Sequence, residues 1–202
     1  MKTYPAIALI EFSNISTGIA AGDAMIKKAP IAMLKAGTVS RGNYLVLIGG
    51  SVASVEESFK EGLAVGAEVV IDKVLLPDVH RQVLDAVAGT KRKVQLEALG
   101  VIETASVAAT IEASDAAIKG ATINIVEIRL ADSLGGKGFV IVNGKVEDVE
   151  AAVETGINAI SNKALWRNST IIPAIHTEMA REIDGATRFS VAEYRKLPGE
   201  EF

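Results

Sequence analysis

The side chains able to act as acids, bases or ligands occur in matched pairs along this chain. Glu11 and Glu103 each close an apolar segment, Asp23 and Asp115 each stand four residues ahead of a lysine (Lys27, Lys119), and His80 and His176 are the only histidines. Two carboxylates suggest general acid–base work, and a ring of histidines could hold a metal. The spacing favours neither. Glu11 and Glu103 lie in matching contexts instead of being set against each other, and no nucleophile or oxyanion group accompanies them. They read as structural, hydrogen-bonding a helix start or a neighbouring subunit. Each histidine lacks a second ligand at metal spacing and reads as a residue that opens a surface helix. The Asp–Lys pairs have the spacing of ion pairs on one helix face, worth a few tenths of a kcal/mol (~0.3) when solvated.

Two glycine-containing turns complete the candidate sites. The first is Thr38-Val39-Ser40-Arg41-Gly42-Asn43, the second Asp132-Ser133-Leu134-Gly135-Gly136-Lys137-Gly138. Both fit hairpin connections whose glycines supply positive φ. Gly135-Gly136-Lys137 is not a phosphate loop. That motif needs glycine five before its final glycine and Ser or Thr after the lysine, where this chain has Ala131 and Gly138.

Composition narrows the chemistry further. The 202 residues are 49% hydrophobic and 23% charged, with a net charge of −4. That length suits one large domain or two small ones. Cysteine is absent, which excludes disulfides, thiolate zinc sites, all-cysteine iron–sulfur ligation and cysteine nucleophiles. No charge-free apolar run is long enough to span a membrane. Met1-Lys2-Thr3-Tyr4-Pro5 lacks a cationic-then-apolar leader pattern, so the expected location is the cytosol and the sequons at Asn14 and Asn168 carry no meaning. Residues 1–96 hold 11 basic and 9 acidic side chains and residues 97–202 hold 10 and 16. Neither half has the basic stripe that nucleic-acid binding needs.

The pairs arise because the chain is written twice. At an offset of 92, Ile10-Glu11 meets Ile102-Glu103, Ile19 meets Ile111, Asp23-Ala24 meets Asp115-Ala116 and Ile26-Lys27 meets Ile118-Lys119. Further on, Val46 meets Val140 and Val55-Glu56 meets Val149-Glu150; near the end Leu76-Pro77-Asp78-Val79-His80 meets Ile172-Pro173-Ala174-Ile175-His176. Each copy predicts a strand (6–12, 98–104), an alanine-rich helix (near 17–29, 109–121) and two strands joined by a turn (31–38 with 43–49, 123–131 with 137–143). A helix follows, with apolar steps of three and four at Val52, Val55, Phe59, Leu63 and at Val146, Val149, Val153, Ile157. A last strand ends at Leu76 or Ile172, and Pro77 or Pro173 is expected to open a short helix. The fold class is α/β (α+β), two tandem ferredoxin-like βαββαβ domains with an extra C-terminal helix each. The domains span residues 5–89 and 97–185, joined by a polar linker, 90–96, and followed by a tail, 186–202, expected to dock on the outside.

With the copies in register, Asp23-Ala24-Met25-Ile26-Lys27-Lys28-Ala29 and Asp115-Ala116-Ala117-Ile118-Lys119-Gly120-Ala121 share a pattern, Asp-Ala-x-x-Lys-x-Ala. Together with Gly135-Gly136-Lys137 and the Pro-x-x-His pairs at Pro77/His80 and Pro173/His176, it resembles the bacterial microcompartment shell proteins, specifically their trimeric class with two domains in tandem, unpermuted and single-layered. The resemblance implies a flat tile without catalytic activity, in the bacterial cytoplasm. Three chains would form a pseudohexagonal plate that packs with other shell proteins around enclosed enzymes, which would be further partners. It also implies that Lys27 and Lys119 lie at the plate edge, their stems packed and their ammonium groups reaching carbonyls of a neighbour. Ser40, Arg41, Gly42, Ser133, Leu134, Gly135 and Gly136 would then line a central pore for small polar metabolites. There Ser40 offers hydroxyls, Gly135-Gly136 backbone N–H groups, and Arg41 and Lys137 positive charge. Some relatives hold an iron–sulfur cluster on a cysteine at the position of Ser40. This chain departs there, so no cofactor and no metal are expected. The alternative is a ligand-binding trimer or small enzyme on the same ferredoxin-like fold, with its site in a cleft between subunits.

Overall fold

The computed structural model describes residues 6–193; residues 1–5, which include the first residue of the expected first domain, and residues 194–202, the outer part of the expected tail, lie outside them. The first copy runs β1 (Ala6–Phe12), α1 (Ile15–Lys28), β2 (Met33–Thr38), β3 (Tyr44–Gly50), α2 (Val52–Gly66), β4 (Val70–Leu76) and α3 (Arg81–Val87). The second repeats it as β5 (Ala98–Thr104), α4 (Val107–Gly120), β6 (Asn124–Leu130), β7 (Gly138–Gly144), α5 (Val146–Ala159), β8 (Trp166–Ile172) and α6 (Thr177–Gly185). Each copy forms its own antiparallel four-stranded sheet, ordered β2-β3-β1-β4 and β6-β7-β5-β8. That is the ferredoxin-like order, with the first strand central and buried.

The alternation of β1 explains its seven buried residues. Ala6, Ala8, Ile10 and Phe12 face α1 and α2, while Ile7 and Leu9 point through the sheet to its other side. Close helix packing depends on α2 glycines at the contact. A Cβ at Gly66 would stand 2.2 Å from Phe12 Cε1, and one at Gly62 would stand 2.5 Å from Met25 Sδ.

Helix starts are set by side-chain caps. Asn14 Oδ1 accepts from Thr17 N at 3.0 Å and Ser106 Oγ from Ala109 N at 3.1 Å. These caps place the starts of α1 and α4 two residues ahead of the expected positions. The prolines do not open the last helices, contrary to expectation. Pro77 and Pro173 sit in bends before them, and His80 and His176 are the caps. Each Nδ1 accepts a backbone N–H two residues on, from Gln82 and Glu178, at 3.2 Å in both cases. The imidazole thus plays the part usually taken by Ser, Asp or Asn.

The two domains share an apolar cluster. Leu9, Leu47 and Val74 on the open face of the first sheet belong to one cluster with Val83 and Val87 of α3 and with Ala108, Ile111 and Ile118 of α4. In domain 2, α6 covers the corresponding open face through Ile183 on Leu99 and Ile141. The linker is anchored at several points. Arg92 N donates to Val126 O at 2.8 Å, Val94 N to Asp184 Oδ1 at 2.8 Å and Gln95 N to Asn143 Oδ1 at 2.6 Å.

Candidate functional site: paired loops and a domain junction

The sequence-predicted residues fall into two groups. One is the pair of β-turn loops. Ser40 Oγ accepts the backbone N–H of Ser133 at 3.0 Å, so the two loops of one chain are fastened side by side. Arg41 lies beside Gly136, where an added Cβ would come within 3.2 Å of Arg41 Cδ. The backbone here is left-handed at six residues: Arg41, Gly42, Ala131, Ser133, Gly135 and Gly136. Three of them are not glycine, and each such residue costs on the order of 1 kcal/mol. Lys137 does not add a free cation, because its Nζ pairs with Glu103 Oε1 at 2.7 Å. Among the described residues, Arg41 has no ionic partner.

The other group is the junction between domains, and most of it was not legible in the sequence. Glu11 Oε1 accepts Ala108 N at 2.8 Å, so a carboxylate at the end of β1 meets the first turn of α4. Beside it, Asp72 is cross-strand to Glu11 in the β1–β4 ladder and accepts from Ser106 Oγ. Two adjacent acids on neighbouring strands therefore face one helix N-terminus, whose amides and dipole favour negative charge. Burial pushes the Glu11 carboxyl up to about 7 and Asp72 pushes it the same way, while the Ala108 and Val107 amides pull it back.

At the other end of the same junction, His80 N donates to Asp115 Oδ1 at 2.8 Å. Lys119 Nζ pairs with Asp115 at 2.7 Å and reaches the Asp78 carbonyl of domain 1. Lys119 therefore spans two domains of one chain. Lys27, its repeat partner, pairs only with Asp23 at 2.5 Å on its own exposed helix face. The signals for Asp72 and Ser106 were present but weak. Ser106 is the repeat partner of the cap Asn14, and Asp72 becomes Asn168 in copy two. Among the described residues no cluster could hold a metal ion, and no helix is long and apolar enough to cross a membrane.

A profile of the BMC domain matches residues 6–79 and again 98–175. The chain belongs to the BMC-domain family. The chain is 34% identical over 178 residues to the bacterial microcompartment shell protein PduT of Citrobacter freundii, covering 88% of this chain and 97% of PduT. PduA, a microcompartment shell protein of the same organism, matches over 87 residues at 38%, covering 43% of this chain and 91% of PduA. The crystal structure of a microcompartment protein from Desulfitobacterium hafniense DCB superposes with a TM-score of 0.77 at 40% identity, covering 87% of this chain and 98% of that one. The chain is thus a tandem-BMC-domain shell protein of bacterial microcompartments. A ligand-binding or enzymatic trimer is not favoured. The BMC family is structural, and the tandem BMC architecture fits a pseudohexameric tile.

Proposed function

We propose that three copies of the tandem BMC chain close into a ring of six domains, a non-catalytic tile of the shell. One observation carries this. What domain 1 covers on domain 2 has an uncovered counterpart on domain 1 itself. Ile111 of α4 is 0% exposed and Ile118 8%, whereas their counterparts Ile19 and Ile26 on α1 are 54% and 46% exposed. Likewise Val83 of α3 is fully buried against domain 2, and its counterpart on α6, Met179, is 52% exposed. The β6 edge is paired by Gln82, whose Oε1 accepts Ile125 N at 3.0 Å, while the matching edge of β2 leaves Leu34 exposed. A single chain therefore holds one completed head-to-tail junction and the two unfilled halves of the next. Interfaces of that kind form rings when the rotation closes, and the family plate implies closure at three chains.

By the same correspondence, Glu103 would receive the first turn of α1 from the next copy. Asp23 would accept the N–H of His176 there, and Lys27 would reach the carbonyl of Ala174. The fastened loops would converge on the axis, with Ser40, Arg41, Gly42, Ser133, Leu134, Gly135 and Gly136 lining an opening for small polar metabolites. At the perimeter, Lys27 and Lys119 would meet neighbouring plates, each ammonium having donors to spare beyond its aspartate. Other shell proteins and the enclosed enzymes are the further partners, in the cytoplasm. No cofactor is assigned, since position 40 is serine.

Light scattering on the size-exclusion peak tests the ring. The native chain should elute at three times its 21.2 kDa mass, and Ile19→Asp, which places a charge in the open half-junction, should elute as a monomer. A monomeric native chain would end the proposal. Electron microscopy of the concentrated protein should show sheets, tubes or closed shells.

A further inference from the structure

A cleft of about 360 Å³ opens between β2, the end of α3, β6 and the segment that follows α6. Four cationic side chains line it, Lys35, Lys91, Arg129 and Arg188, against two carboxylates, Glu127 and Asp132. Its volume lies in the range of small-molecule sites.

The partners of these groups decide what the cleft can hold. Glu127 is already engaged: it accepts from Thr187 Oγ1 at 2.9 and 3.0 Å and faces Lys91 Nζ at 3.5 Å. Lys91 also donates to the Ile183 carbonyl. Arg129 has no carboxylate partner among the described residues. Its guanidinium lies 5.7 Å from the Phe139 ring centre and donates to the Asp132 carbonyl at 3.3 Å and to Thr187 Oγ1 at 3.4 Å. An arginine stacked in this way is pre-oriented at little entropic cost and keeps donors for a planar bidentate acceptor. Lys35 has only the Val87 carbonyl, at 3.4 Å, and Arg188 has no partner among the described residues. Among the described residues, three cations without ion-pair partners thus share the concave space with one unpaired carboxylate, Asp132, which leaves an excess of positive charge beside Val87 and Leu130.

We infer that this cleft is a binding site for a small anion bearing a carboxylate or phosphate group, seated on Arg129 and flanked by Lys35 and Arg188. All residues that line the site belong to one chain. Carboxylate and phosphate share the recognition chemistry, and two probes separate them: succinate and inorganic phosphate, each titrated into the full-length protein by calorimetry at constant chloride. One site per chain should saturate with at least one probe, and the probe that binds identifies the group. Arg129→Gln should weaken that binding at least about tenfold. Arg129 also packs on Phe139, so the double variant Lys35→Gln/Arg188→Gln, confined to two exposed side chains, provides an independent check and should weaken it to a similar extent. Lys60→Gln, on the outer face of α2, should leave binding unchanged. Absence of saturation with both probes up to about 10 mM, or equal affinity in the double variant, would overturn the assignment.

Discussion

Glu11 Oε1 lies 2.8 Å from the backbone nitrogen of Ala108, so the last turnward carboxylate of β1 caps a helix that belongs to the other domain. The acid is 1% exposed, and its charge is held against burial chiefly by peptide dipoles. Domain 2 is therefore docked on domain 1 through a titratable group.

That group gives the fold a pH dependence of known sign. Unfolded, Glu11 titrates near 4.5; folded, near 7. Between those values the folded chain binds more protons than the unfolded one, so this contribution to stability is full below about 4.5 and is lost as pH rises through 7. Glu11→Gln keeps an oxygen for Ala108 and removes the titration. Urea denaturation should find the variant more stable at pH 8, by up to ~3 kcal/mol, with the difference closing near pH 4. Parallel curves for the two proteins across that range would refute it.

Gly66 allows α2 to approach Phe12. Gly66→Ala should destabilise the first domain by roughly 1–3 kcal/mol, because its methyl would overlap a fully buried aromatic ring. Thermal melting of the variant beside Gly89→Ala separates contact from conformation. Gly89 has positive φ and open space around it, so only backbone strain acts there.

Arg41 adopts φ 74°. Arg41→Gly should relieve the left-handed strain and hold or raise stability by up to ~1 kcal/mol, while removing the cation nearest the Ser40–Ser133 bond. If the pore lies there, single-channel recordings across a planar lipid layer should show a lower anion-to-cation permeability ratio. An unchanged ratio with unchanged conductance would place the opening elsewhere.

Lys27 and Lys119 should differ despite their matched positions. Lys119→Glu faces the Asp78 carbonyl and Asp115 within one chain, so it should lower the melting temperature. Within one chain Lys27→Glu loses only an exposed pair with Asp23, worth under about 1 kcal/mol. In protein dilute enough to be monomeric its melting temperature should stay put, while at assembly concentrations two-dimensional sheets seen by electron microscopy become fewer. Equal melting shifts for the two variants would contradict the different surroundings found for them.

Local rules made the fold readable. Alternation in β1, steps of three and four in α2 and α5, and the register of the repeat set both sheets. The histidines read correctly as openers of helices, yet the prolines, expected at the helix starts, lie in the bends before them, because sequence proximity does not say which residue supplies the acceptor. Contacts between the copies were less accessible. Glu11 and Asp72 become neighbours only through the β1–β4 ladder, and Ala108 meets them only after α4 docks. Nothing periodic along the chain encodes that meeting. Glu103 shows the limit most clearly: the same residue in the same repeat position pairs with Lys137 and not with a helix start.

The anchored linker has a kinetic consequence. Six separate single-domain pieces would need five bimolecular encounters and a closure to make the six junctions of a ring, and each junction could open at low concentration. Here half of the junctions are held by a tether of seven residues, 90–96, at an effective concentration on the order of millimolar. Ring formation would then fall to two encounters and a closure, and dilution would act only on the junctions made by Ile19, Ile26 and Met179. Affinity at the tethered junction is free to drift; at the untethered one it sets the concentration at which a plate exists.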